Sequence, residues 1–267
     1  MAERSTMLRV DHLSKVYESP SGDVEAIGDL SFTMDAGELV CVVGPSGCGK
    51  TTLLKCVAGL LRSSGGAVEL DGARVTGPTP SMALVFQEYG RSLYPWLTVR
   101  SNVELPLRHK NLSRAERDRL VNDSLLAVGL ADAAKSHPWQ LSGGMQQRVA
   151  IARAIAYEPE VLIMDEPFAA VDAQTRADLE DLVRDLHRSR GVSILFVTHD
   201  IDESVYLGER VLVLSKSPTR VLETLEIDLP AQRDQITTRA LPRFTELRTH
   251  VYGQIQRAKA GAAVSSP

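Results

Sequence analysis

Nothing in these 267 residues reads as a membrane span or an export signal. No apolar run approaches the ~20 residues that cross a bilayer. The opening Met1-Ala2-Glu3-Arg4-Ser5-Thr6 also lacks the apolar core of a signal peptide, so the chain is expected in the cytoplasm. Neither sign of charge dominates: 30 Lys and Arg stand against 34 Asp and Glu, a net charge of −4. That gives no general attraction to nucleic acid or anionic lipid. Cysteine is scarce, and Cys41, Cys48 and Cys56 sit at neither zinc nor Cys-x-x-Cys spacing, which leaves buried, reduced thiols as the expectation. There is no internal repeat and no Asn-Lys-x-Asp guanine motif, and no other histidine stands at ligand spacing from His199. With 43% hydrophobic residues, the length suits one large domain, or a domain with a smaller lobe.

What is present starts at Gly44-Pro45-Ser46-Gly47-Cys48-Gly49-Lys50-Thr51-Thr52. The apolar run Leu39 to Val43 enters it, and a helical pattern leaves it at Lys50. Strand, glycine-rich turn and helix are the context in which G-x-x-x-x-G-K-[ST] binds phosphate. The glycines let successive N–H groups turn inward, and the following helix offers its positive end. Lys50 then serves the β- and γ-phosphates, and the Thr51 hydroxyl ligates Mg²⁺, so the expected ligand is a triphosphate. Cys48 lies inside the loop, so alkylation there is expected to block nucleotide binding and bound ATP to protect.

Ahead of the loop, short strands are expected at Leu8–Val10, Val24–Ile27, Ser31–Thr33 and Leu39–Val43. Tyr17, at a strand end, suits either adenine stacking or plain packing. Gly65-Gly66 and Asp71-Gly72 bracket a hairpin strand, Ala67 to Leu70. The strand Met82 to Phe86 ends at Gln87, whose amide can reach a metal ion or its water. From Glu88 to about Pro138 the pattern becomes helical, with a loop at Tyr94-Pro95-Trp96 and a capping box opening at Ser113, as an inserted lobe would be.

Leu141-Ser142-Gly143-Gly144-Met145-Gln146-Gln147-Arg148 then opens a helix of small residues. Ser142 is a natural N-cap, and Gly143 and Gly144 bring main-chain N–H groups close to whatever sits at the helix start, a second anion site. A capped helix with glycines for packing would use the same residues, but the octapeptide is more specific than capping requires. The strand Val161 to Met164 runs into Asp165 and Glu166. Asp165 is placed to contact Mg²⁺ through water, and Glu166 to act as general base on the attacking water. A helix follows from Ala173 to about Arg190, and the buried strand Ser193 to Thr198 ends at His199. A lone histidine after a core strand is ordinarily a satisfied structural residue. This strand, however, ends at the carboxyl edge of the sheet, where ligands of open α/β sheets bind, and neutral His199 can hydrogen-bond the γ-phosphate and the attacking water together. Leu241, Phe244, Leu247, Val251 and Ile255 mark one face of a terminal helix, with the tail beyond Gly261 expected to fray.

Taken together, the phosphate loop, Gln87, the Leu141 to Arg148 motif, Asp165-Glu166, Ala170-Val171-Asp172 and His199 resemble the nucleotide-binding subunit of ABC transporters from about Leu8 to Ser215. The resemblance implies an α/β fold, a P-loop NTPase ABC cassette with a RecA-like sheet core, an antiparallel β subdomain and an inserted helical subdomain. It implies an ATP-binding domain at residues 1–230, with residues 88–157 as the helical subdomain and 231–267 as a short helical extension. It implies ATP and Mg²⁺ as cofactors, and a second copy of the chain as partner. Ser142, Gly143 and Gly144 of one copy would then face the ATP on the other, and Asp172 would join the nucleotide site. Integral-membrane permease subunits, and indirectly a substrate-binding protein, complete the set, with no nucleic acid.

Val85-Phe86-Gln87-Glu88, Tyr94-Pro95-Trp96-Leu97-Thr98-Val99, Glu166-Pro167-Phe168-Ala169-Ala170 and the run from Thr198 to Val205 look like importer subunits for nitrate, sulfonate and taurine. Val171 in place of the usual leucine, and a long, polar Glu88 to Ser92, depart from that group. The alternative is a soluble ATPase of the same cassette type, serving repair, cluster assembly or translation, but its usual coiled-coil insertion or tandem cassette is missing. A kinase or GTPase on the same loop would leave the Leu141 to Arg148 motif unexplained.

Overall fold

The computed structural model describes residues 5–20, 22–87 and 92–260. Along the chain the strands are β1 Thr6–Tyr17, β2 Val24–Asp35, β3 Leu39–Val43, β4 Gly65–Leu70, β5 Ala73–Arg74, β6 Met82–Val85, β7 Val161–Asp165, β8 Ser193–Val197, β9 Arg210–Leu214 and β10 Val221–Glu226. The α-helices are α1 Lys50–Val57, α2 Val99–Glu104, α3 Arg114–Ala127, α4 Gly143–Ala156, α5 Ala173–Arg190, α6 Ile201–Leu207 and α7 Pro242–Ala260. They divide between two compact units, one formed by residues 1–79 and 193–267, the other by residues 80–192.

In the first unit, β2, β1, β4 and β5 form an antiparallel sheet in that order. β1 and β2 are each longer than the short strands expected from sequence. Register shifts between Val10 and Leu13 and between Leu13 and Lys15 let β1 carry on through irregularities that break its apolar alternation. The β4–β5 turn uses Asp71 and Gly72, both at positive φ (46° and 73°), as a two-residue hairpin requires. β3 lies between β8 and β9, parallel to both, and β10 pairs antiparallel with β9. Every residue of β3 and β8 is buried, which is why both read as unbroken apolar runs. α7 buries Phe244, Leu247, Val251 and Ile255, four of the five residues in the expected stripe, and Ala258 as well; Leu241 lies half-buried just ahead of the helix. Burying each of the larger ones is worth about 1.5–3 kcal/mol.

In the second unit, β6 and β7 pair in parallel, and α2, α3 and α4 pack on one another. α3 opens with the expected capping box: Glu116 N–H donates to Ser113 Oγ at 3.2 Å, and Ser113 N–H donates to Glu116 Oε2 at 2.7 Å. Leu120, Leu125, Val128 and Leu130 are buried. The segment Glu88 to Arg91 lies outside the described residues, as does the tail from Gly261. Among the described residues no helix is long and apolar enough to cross a membrane, and Cys41, Cys48 and Cys56 are buried and free of disulfides.

Candidate nucleotide site

The phosphate loop belongs to the first unit and connects β3 to α1. Gly47 and Gly49 take left-handed conformations (φ 74° and 99°), and Gly49 is the N-cap of α1. A Cβ on Gly49 would stand 3.1 Å from Thr219 Oγ1 and 3.2 Å from the Ala26 carbonyl; one on Gly44 would stand 3.0 Å from both Cys48 Sγ and Leu214 Cβ. Side chains at Gly44 and Gly49 would therefore press on Cys48, Leu214, Thr219 and Ala26, and at Gly47 and Gly49 the positive φ strains any L-residue. Thr219 supports it from outside by donating to the Cys48 carbonyl. Cys48 itself is only 2% exposed, with its Sγ packed beside Gly44.

Lys50, 6% exposed, donates to the carbonyls of Gly44 at 3.2 Å and Pro45 at 3.3 Å. Its ammonium thus lies across the loop, where a bound triphosphate would give it stronger, charged acceptors. Thr51 is exposed at the start of α1. Next to it, Thr52 shares a 3.2 Å hydrogen bond with the Tyr17 hydroxyl, which brings that aromatic to the loop; the Lys15 ammonium lies 5.2 Å from its ring centre. His199 stands exposed after β8, in the same unit. The next residue, Asp200, caps α6 by accepting from Glu203 N–H at 3.2 Å, and Asp200 N–H is held at 2.9 Å by Thr198 Oγ1.

The second unit carries the remaining residues. Gln87 is exposed two positions beyond β6. Ser142 caps α4, accepting from Met145 N–H at 3.3 Å, and leaves Gly143 exposed at the helix start. Gly144 has a packing reason as well: a Cβ there would lie 2.2 Å from Thr175 Cγ2. Thr175 is in turn fixed by Asp172, which accepts from its N–H at 3.0 Å and from its hydroxyl at 2.7 Å. Those bonds hold the Asp172 carboxyl below its ordinary pKa, the main-chain N–H first. Asp172 is therefore the N-cap of α5 and steers the side chain that touches Gly144. The spacing Asp-x-x-Thr was visible in the sequence; its meeting with Gly144 was not.

Asp165 closes β7, buried, and the next residue carries the strain. Glu166 has φ 43°, a left-handed conformation that costs an L-residue of order 1–3 kcal/mol and gathers at functional sites. No pattern in the sequence announces it. Two further residues escaped sequence reasoning. Asn102, fully buried, accepts from Tyr94 N–H at 2.9 Å and donates to the carbonyls of Tyr94, Leu97 and Thr98 at 3.1–3.2 Å. It holds the Tyr94-Pro95-Trp96 loop rigid with Trp96 71% exposed. Arg153 grips Ser92 through its carbonyl at 2.6 Å and hydroxyl at 2.9 Å.

Comparison with known proteins agrees with these observations. The ABC transporter family model matches residues 27–169. The nitrate import ATP-binding protein NrtD of Synechococcus elongatus is 40% identical over 253 residues, covering 94% of this chain and 92% of that protein. An uncharacterized ABC transporter ATP-binding protein of Methanocaldococcus jannaschii is 44% identical over 228 residues, 85% of each chain. Among solved structures, the dimeric post-hydrolysis state of the ATP-binding cassette MJ0796 bound to ADP and Pi superposes with a TM-score of 0.72 at 32% identity, over 83% of this chain and 99% of that one. The chain belongs to the ABC transporter family and carries its ATP-binding cassette, with the P-loop ABC fold. As a member it is an ATPase that works for transport.

Proposed function

We propose that this ATPase powers a bacterial importer for nitrate, a sulfonate, taurine or a related small solute, as two copies that close on two ATP molecules. The observation that carries the reading is a complete phosphate cradle in a chain that shares 40% of its residues with a nitrate import ATP-binding protein along nearly its whole length. Gly44 to Thr52 hold the triphosphate, with Lys50 leaving the Gly44 and Pro45 carbonyls for the β- and γ-phosphates and Tyr17 beside the base. The Thr51 hydroxyl, Gln87 amide and Asp165 carboxylate are hard oxygen donors of the kind Mg²⁺ prefers. When bound, that ion neutralises phosphate charge. Glu166 takes the proton of the attacking water, and His199 orients the γ-phosphate and that water.

Ser142, Gly143 and Gly144 act on the ATP held by the other copy, with the α4 N-terminus facing its γ-phosphate and Asp172 supporting that edge. Closure excludes water and aligns Glu166; after hydrolysis, repulsion between the products reopens the pair. Residues 1–230 form the ATP-binding domain. The helical subdomain at 88–157 meets the permease through the loop that Asn102 stiffens, and 231–267 are an added extension. The assembly sits at the cytoplasmic face of the plasma membrane, with a substrate-binding protein supplying the solute.

Affinity purification of the tagged chain from gently solubilised membranes of its host tests this. Co-purification of a multi-span permease is expected, and its binding protein will then respond to nitrate, sulfonates or taurine. Recovery with soluble proteins alone would overturn the importer reading.

A further inference from the structure

The segment after Pro230 does more in this fold than cover apolar surface. Arg233 Nη1 donates to three main-chain carbonyls at the end of α6: Val205 at 3.1 Å, Tyr206 at 2.6 Å and Gly208 at 2.9 Å. Its Nε donates to the Pro230 carbonyl at 3.1 Å, which fixes the guanidinium from behind. A cation on the final carbonyls of a helix satisfies acceptors that the helix leaves over and opposes the negative end of its dipole. Arg239 adds to the hold, its guanidinium 5.0 Å from the ring centre of the fully buried Tyr206.

The same extension grips the other end of α6. Arg248, on α7, pairs with Asp202 in the first turn at 3.7 Å. Arg248, Thr249 and Tyr252 also line one cavity of about 480 Å³ with His199, Asp200, Ile201 and Asp202. α6 has only seven residues, and His199 is joined to it through its N-cap, Asp200. On its other side His199 follows Thr198, the residue just after β8, whose N–H still bonds to the Val42 carbonyl of β3 at 3.1 Å. One flank of His199 is thus set by the sheet, and the other by a short helix whose two ends are held from residues 230–252.

We propose that the C-terminal extension positions His199 for hydrolysis, with Arg233 as the principal positioning residue and Arg248 as the second. This rests on the role given to His199 above. Arg233 touches no nucleotide; it anchors the C-terminal end of α6, and through that seven-residue helix, held at its start by Arg248, it sets where the imidazole stands. A displacement of a fraction of an ångström to 1 Å at a reacting group lowers the rate with little change in ground-state binding.

The test is a double-mutant cycle on the full chain, combining Arg233→Ala with His199→Ala. It reads kcat, KM for ATP, ATP dissociation constant and thermal midpoint. Residues that act through one another give non-additive effects, whereas independent ones add. Arg233→Ala is expected to lower kcat about 10-fold with KM and ATP affinity within about twofold, on the scale of small misplacements. In the His199→Ala background the same substitution is expected to lower kcat no further. Arg233→Lys is expected to restore most of the rate, because the three helix-end bonds converge on one nitrogen and an ammonium carries three donors.

An equal loss from Arg233→Ala in both backgrounds would overturn the proposal, as would an unchanged kcat with only a lower thermal midpoint. Wild-type kcat in His199→Ala alone would remove the role of His199 itself, and the positioning proposal with it. Should Arg233→Ala fail to fold, Arg248→Ala carries the same cycle from a half-exposed ion pair. A smaller kcat loss that vanishes without His199 is then the supporting result, and no loss or an additive one the overturning result.

Discussion

Replacing Glu166 by glycine and by alanine separates its chemistry from its conformation. Both substitutions remove the carboxylate proposed as general base, so both are expected to abolish hydrolysis, but only glycine accepts φ 43° without cost. Holding an L-residue in the left-handed region costs about 1–2 kcal/mol. Glycine relieves that, and gives back about 0.4–1 kcal/mol through the extra freedom of its unfolded chain. The Glu166→Gly variant is therefore expected to be more stable than the Glu166→Ala variant by about 0.5–1 kcal/mol, a rise of about 2 °C in thermal midpoint for a chain of this size. Urea midpoints and thermal midpoints of the two variants, measured side by side without nucleotide, check the sign. Glu166→Gln keeps the backbone and the shape while removing the proposed base, so it reports chemistry alone. Its hydrolysis is expected to fall at least ~100-fold, with a nucleotide-bound dimer trapped under saturating MgATP. If Glu166→Ala proved as stable as Glu166→Gly, or more so, that would refute the argument that the turn after β7 stores strain at the carboxylate proposed as general base.

Lys50→Ala removes the cation that lies across the phosphate loop and is expected to abolish ATP binding by calorimetry while leaving the thermal midpoint near its starting value. Gly144→Ala drives a methyl toward Thr175 Cγ2 and is expected to cost about 1–3 kcal/mol in urea denaturation, the scale of overpacking. Adding Thr175→Ser removes that methyl, keeps the hydroxyl on Asp172 and is expected to recover most of the loss; no recovery would mean that the clash is relieved elsewhere. Trp96→Ala alters an exposed side chain, so stability is expected to hold within about 0.5 kcal/mol and ATP affinity to stay put, while recovery with the permease drops. Asp172, Asp228 and Asp234 are each held below the usual carboxylate range: Asp172 by the N–H of Thr175, Asp228 by Arg243, and Asp234 by the N–H groups of Thr237 and Ile236. Because the folded pKa is depressed, their contribution is complete above the unfolded value and is lost as pH falls through the folded one. A urea midpoint that declines from about pH 4 downward is expected, with a shallower decline in Asp234→Asn, and an unchanged slope would count against it.

Local chemistry carried much of this protein into its sequence. The Gly44 to Thr52 spacing, the Ser113 and Ser142 caps and the α7 stripe all rest on neighbours within a few residues, where N–H groups, glycines and helical periodicity speak directly. The length of β1 was harder to read, because its bulges interrupt the alternation that marks a strand. Whatever depends on residues far apart in the chain stayed hidden until the fold brought them together. Thr175 against Gly144, Thr219 on the Cys48 carbonyl and Arg233 on the last turn of α6 join positions that no periodicity relates. The left-handed backbone at Glu166 stayed hidden for another reason. A strained φ on a non-glycine residue contradicts local preference and persists only when the surrounding packing imposes it, so the sequence named the carboxylate and the tertiary structure decided how it is held.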